Sequence, residues 1–131
     1  FPLAVEACVA AGARVIVVCG QGACFSAGLD TSDESLIQFQ EDADVARMGL
    51  AKKRQVRMMQ DCLTASETAP VPVIAAVHGP CVGAGVDLIT ACDVRLCSSD
   101  SYFSVREVRL GLAADVGTLQ VRRSATVRNH P

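Results

Sequence analysis

Short β-branched runs alternate with stretches of helical periodicity along this chain. Arg14-Val15-Ile16-Val17-Val18-Cys19 and Val73-Ile74-Ala75-Ala76-Val77 are near-continuous apolar runs bounded by glycine or proline, which predicts strands covered on both faces. Between them Val45, Met48, Val56, Met59 and Leu63 recur at helical spacing. They predict one long amphipathic helix over residues 44–67, closed by Pro70 and Pro72. Residues 3–11 have helix-forming composition and stop at Gly12. Further on, residues 86–91 read as a short helix, Asp93-Val94-Arg95-Leu96-Cys97 as a strand, and Tyr102-Phe103-Ser104-Val105 as another. Strand, helix, strand, helix, strand predicts an α/β fold, and 131 residues fit a single domain.

Composition narrows the function classes. The net charge is −2, Trp is absent and there is one Tyr, so neither a basic footprint nor a stacking platform for nucleic acid is present. No apolar stretch approaches the roughly 18–20 residues a membrane span needs. Seven cysteines form no Cys-x-x-Cys pair, and His78 and His130 have no local ligand partner. Neither a disulfide framework nor zinc is expected; the cysteines read as buried small hydrophobes. Phe1 in place of an initiator Met predicts that the native N-terminus lies further upstream.

Two glycine-rich loops punctuate the strands: Gly20-Gln21-Gly22-Ala23-Cys24-Phe25-Ser26-Ala27-Gly28-Leu29-Asp30, and Gly79-Pro80-Cys81-Val82-Gly83-Ala84-Gly85. Neither ends in the Gly-Lys-Ser/Thr of a phosphate loop, and the first lacks the third glycine of a dinucleotide fingerprint. Asp87 follows the second loop at the start of an apolar run, and Glu107 and Asp115 come later. Free amides beside carboxylates can hold an anion and move protons. Plainer readings stand beside that one. Asp87 could cap a helix, worth about 1 kcal/mol, as could Asp115 ahead of Val116. Glu107 could pair with Arg106 or Arg109 at the surface, worth less than about 1 kcal/mol. Asp93, Arg95 and His78 read as structural, and the Lys52-Lys53-Arg54 run with Arg57 as a solvated face or the neighbour of an anionic ligand.

Five segments in order, Phe25-Ser26-Ala27-Gly28-Leu29-Asp30, Pro72-Val73-Ile74-Ala75-Ala76-Val77-His78-Gly79, Gly83-Ala84-Gly85-Val86-Asp87-Leu88, Ala91-Cys92-Asp93-Val94-Arg95 and Phe103-Ser104-Val105-Arg106-Glu107, together resemble the crotonase, or enoyl-CoA hydratase/isomerase, superfamily. The resemblance covers residues 11–120. It implies a ClpP-like ββα-superhelix core with N- and C-terminal parts missing, because members of the superfamily are longer. Gly85-Val86-Asp87-Leu88 and the stretch from Gly111 through Asp115 to Gln120 are most similar to the Δ3,5-Δ2,4-dienoyl-CoA isomerases.

That resemblance implies a proton shuttle on an acyl-CoA thioester in fatty-acid β-oxidation. Glu107 would take a proton at C2 and Asp115 deliver one at C6, with Asp87 a polar neighbour. The amides of Leu29 and Ala84 would form the oxyanion hole, Ala84 replacing the usual glycine. Ala27, Gly28, Asp30, Thr31, Gly83 and Gly85 would line the substrate. The resemblance implies no cofactor beyond the CoA of the substrate, a homotrimer or homohexamer, and a mitochondrial or peroxisomal location. Two other activities fit the same resemblance. One is an enoyl-CoA hydratase that accepts aspartate at position 87. The other is a catalytically silent assembly subunit, suggested by the basic tail at residues 121–131, which departs from the family's continuation.

Overall fold

A computed structural model describes residues 1–30, 44–111, 113, 116–117 and 127–129. Helix α1 (Pro2–Ala10) starts with Pro in its first turn, where no amide is needed. It ends where Gly12, at φ 82°, turns the chain and the Gly12 and Ala13 amides bond back to Val9 and Cys8. Strand β1 (Ile16–Cys19) follows. Helix α2 (Val45–Glu67) begins at Asp44, whose carboxylate accepts the Ala46 amide at 3.3 Å. Then come β2 (Val73–Val77), β3 (Pro80–Val82), α3 (Ala84–Thr90), β4 (Val94–Cys97), β5 (Tyr102–Ser104), a 3₁₀ turn at Glu107–Leu110, and β6 (Val127–Asn129).

Two parallel sheets result. The larger has the order β1-β2-β4-β6 and the smaller pairs β3 with β5. The α/β expectation is met, but β3 occupies residues of the second glycine-rich loop. Pro80 is its first residue, a position at which a strand tolerates the missing donor. Strand β6 lies in the basic tail and extends the larger sheet beside β4.

One face of the larger sheet carries the core. Ile16, Val73, Ala75 and Val77 are buried together with Val5 of α1, Cys81 of β3, and Val86 and Ile89 of α3. The opposite face is open among the described residues: Val17, Ile74 and Val94 are register partners, and Val17 is 57% exposed. Among the described residues the expected double cover is therefore not met at β1, because α1 and α3 pack on the Ile16 side. Helix α2 packs through its C-terminal half, where Ser66 is buried. Val45, the first member of the expected apolar stripe, is 77% exposed as a consequence.

Asp93 and Arg95 are structural, as their sequence context predicts. The Asp93 carboxylate accepts the Val73 amide at 2.9 Å while the Asp93 amide bonds the Val73 carbonyl, fastening the start of β4 to the start of β2. Buried Arg95 donates from Nη1 to the carbonyls of Ile89, Thr90 and Cys92, so a cation closes the negative end of α3. All seven cysteines are free, yet only Cys81 and Cys92 are buried and Cys8 and Cys19 are exposed. Apolar neighbours in sequence did not imply burial, because Cys19 points to the uncovered face of β1.

Candidate active site

Two glycine turns meet at the edge of the smaller sheet. An isolated bridge between Ser26 and Cys81 lays the first loop along β3, with the Val82 amide bonding the Ser26 carbonyl at 3.0 Å. The Ser26 hydroxyl accepts the Gly28 amide at 3.2 Å and holds that turn in shape. Gly28 sits at φ 91° and Gly83 at φ 56°, ψ −129°, conformations that favour glycine. They touch: a Cβ on Gly83 would stand 3.6 Å from Gly28 Cα, and one on Gly28 would stand 3.4 Å from the Val82 carbonyl oxygen. Gly85 serves packing, since a Cβ there would fall 2.5 Å from Ser26 Cβ.

The amides that follow these two glycines are those of Leu29 and Ala84. Around the turn, the Gly28, Val82, Gly83 and Val86 amides all have acceptors, whereas those of Leu29 and Ala84 are not among the engaged donors of the described residues. Ala84 opens α3, where an amide has no intrahelical acceptor. Two amides presented this way can stabilise a negative oxygen.

Glu107 arrives from the other side. Pairing of β5 with β3 carries the 3₁₀ turn to the glycine pair, and Glu107 Oε1 lies 3.6 Å from the position of a Gly83 Cβ. Its Oε2 is buried with no hydrogen-bond partner among the described residues. The surface ion pair is not formed there: Arg106 Nε donates instead to Ser104 Oγ at 3.1 Å. A buried carboxylate oxygen without a partner is costly for stability and is a mark of functional sites.

Asp87 is fully buried. Helix α3 starts two residues before its expected beginning, so Asp87 is the fourth helical residue rather than the opening one. Among the described residues its neighbours differ from those of Glu107. Gly117 passes over it so closely that a Cβ there would stand 3.0 Å from Asp87 Cβ. Asp87 also lines a cavity of about 40 Å3 between α2 and α3, with Thr64, Glu67, Thr90 and Gly117 among the other walls. Nothing local in the sequence marks Thr64 and Glu67 as neighbours of Asp87; their placement depends on how α2 packs.

Among the other candidate residues, Ala27, Leu29 and Asp30 are exposed beside the turn, Gly28 is half-buried, and Gly83 and Gly85 are buried. Asp115 and Thr31 lie outside the described residues. His78 donates from Nε2 to the Gly22 carbonyl at 2.9 Å, which fixes its tautomer and ties the first loop to the end of β2. Lys53, Arg54 and Arg57 are exposed, and Lys52 bonds Gln55. Sequence reasoning overlooked Ser26, whose hydroxyl shapes the Gly28 turn. Among the described residues, no group of three potential metal ligands occurs and no helix is long and apolar enough to cross a membrane.

The family profile described as enoyl-CoA hydratase/isomerase matches residues 7–126. The mitochondrial Δ(3,5)-Δ(2,4)-dienoyl-CoA isomerase of Homo sapiens is 48% identical over 112 residues, covering 84% of this chain and 34% of that protein. The peroxisomal Δ(3,5)-Δ(2,4)-dienoyl-CoA isomerase of Arabidopsis thaliana is 47% identical over 108 residues, covering 81% and 39%. A crystal structure of an enoyl-CoA hydratase from Polaromonas sp. JS666 superposes with a TM-score of 0.70 at 26% identity, covering 86% of this chain and 41% of that one. The chain thus spans a little over a third of the length of the curated relatives it matches. With the match running through both glycine turns and the Glu107 turn, this chain belongs to the enoyl-CoA hydratase/isomerase family.

Proposed function

We infer that the protein is a Δ3,5-Δ2,4-dienoyl-CoA isomerase. The observation that carries the reading is the buried oxygen of Glu107, unpartnered among the described residues, beside the Gly28 and Gly83 turns. Identity supports the isomerase over the hydratase, at 48% to the human isomerase against 34% to a probable enoyl-CoA hydratase of Bacillus subtilis.

In this reading the thioester oxygen rests between the Leu29 and Ala84 amides. Glu107 removes a proton from C2, and the electron pair of that C–H bond delocalises onto the thioester oxygen and along the diene. Loss of one such donor typically costs about 3–4 kcal/mol of transition-state stabilisation. The trienolate collapses as Asp115 gives a proton to C6: the C2–C3 and C4–C5 double bonds form, and those at C3–C4 and C5–C6 are lost. Asp87 is the polar neighbour of this path, and Ala27, Gly28, Asp30, Thr31, Gly83 and Gly85 form the wall along the acyl thioester. CoA enters as part of the substrate, and the residues named supply the acid, the base and the oxyanion donors. A homotrimer or homohexamer in the mitochondrion or peroxisome completes the proposal, consistent with the organelles in the relatives' names.

The test is ultraviolet absorbance with a 3,5-dienoyl-CoA, in which a conjugated 2,4-dienoyl product grows in. A 2-enoyl-CoA hydration assay runs beside it. Water addition without isomerisation replaces the isomerase by a hydratase, and silence in both with intact assembly identifies a non-catalytic subunit.

A further inference from the structure

An oxyanion hole is effective when its donors are held in place before the substrate arrives. The turn that presents the Leu29 amide has little of its own to hold it: Ala27 and Leu29 are exposed, and Gly28, at φ 91°, is a residue of wide conformational freedom. Ser26 supplies a restraint. Its amide donates to the Pro80 carbonyl at 3.1 Å and its carbonyl accepts the Val82 amide at 3.0 Å, so its backbone is fastened to β3 on both sides of Cys81. From that base its hydroxyl accepts the Gly28 amide, the bond that serine and threonine make two residues ahead in turns. The Gly28 donor is thereby occupied, and Leu29 carries the next amide along. The same side chain reaches the second turn. A Cβ on Gly85 would stand 2.5 Å from Ser26 Cβ and 2.7 Å from Ser26 Oγ, so Ser26 lies against the bare backbone of the residue that follows Ala84.

We propose that Ser26 is a positioning residue of the oxyanion hole, its side chain setting the direction of the Leu29 amide and its distance from the Ala84 amide. The inference rests on the oxyanion hole of the reading above and holds for an isomerase or a hydratase, since both place charge on the thioester oxygen. Ser26 acts through Gly28 and Gly85 rather than on the substrate.

The test compares Ser26→Ala, which removes the acceptor of the Gly28 amide, with Ser26→Thr, which keeps it. In Ser26→Ala the turnover of a 3,5-dienoyl-CoA by the folded fraction is expected to fall by about 10- to 100-fold, less than the roughly 10²–10³ of losing one donor outright. KM changes little, because the amides meet their full charge only in the transition state, and Ser26→Thr restores the rate. A second readout needs no turnover. The infrared stretch of the thioester carbonyl in bound octanoyl-CoA, isotope-labelled at that carbonyl, moves to lower frequency when both amides bond its oxygen. That shift is expected to shrink in Ser26→Ala and to persist in Ser26→Thr. A Ser26→Ala protein that loses stability in urea but keeps its folded-fraction turnover and its carbonyl shift overturns the proposal and leaves Ser26 a residue of the fold alone. Failure of the wild type to convert the dienoyl substrate overturns the isomerase reading instead, and the carbonyl shift then decides the part of Ser26 by itself. A wild-type carbonyl that does not shift overturns the oxyanion hole and the proposal with it.

Discussion

The carboxylate of Glu107 faces the open side of Gly83, with Oε1 3.6 Å from where a Cβ would be. That places the acid beside the turn that presents the Ala84 amide. At φ 56°, ψ −129° Gly83 holds a conformation costly for other residues. Gly83→Ala is expected to lose about 1–3 kcal/mol of stability through backbone strain, measured by urea unfolding, and to lower turnover further by shifting the amide. Wild-type stability in that variant would show that the turn relaxes without cost.

Glu107→Gln separates chemistry from folding. The amide nearly matches the shape but cannot take a proton, so turnover should fall by about 10²–10⁴. Because Glu107 Oε2 is buried without a partner among the described residues, no bond of that oxygen to them is lost and the thermal midpoint should not drop. A variant that keeps its turnover would remove Glu107 from the mechanism.

Arg95 tests the opposite kind of residue. Arg95→Met keeps much of the side-chain volume but leaves the carbonyls of Ile89, Thr90 and Cys92 without their donor. A loss of about 2–3 kcal/mol is expected, read as a lowered urea midpoint, with the turnover of the folded fraction retained. A stability loss too small to measure would mean that the end of α3 is satisfied in another way.

The buried thiols Cys81 and Cys92 predict a loss of stability in alkali. Burial pushes the Cys81 thiol from 9.0 up to about 11 and raises Cys92 in the same direction. Their neutral forms are favoured by folding, so this contribution is intact below pH 9 and is lost as pH rises toward 11. Urea midpoints should fall between those limits, and Cys81→Ala should flatten the fall even if it lowers the whole curve. Alkylation should reach exposed Cys8 and Cys19 well before Cys81. Equal rates at all cysteines would contradict the burial.

Much of this protein was legible in its sequence because the signals are local. The β2 run bounded by Pro72 and Gly79, the capped start of α2 at Asp44 and the stop at Gly12 depend on residues within a few positions of one another, and the structure has them close to where they were expected. The order of the glycine loops and acids also identified the family that the comparisons show. Tertiary structure decided the rest. The pairing of β3 with β5 brings Glu107 to Gly83, 24 positions away, and the chain at Gly117 passes close over Asp87, 30 positions away. Ile16 and Val17 are adjacent and equally apolar, yet one is buried and the other exposed, because helices lie against one side of the sheet. Periodicity along a chain records which residues can share a face. Which face is covered, and which acid meets which turn, follows from contacts between segments far apart in sequence.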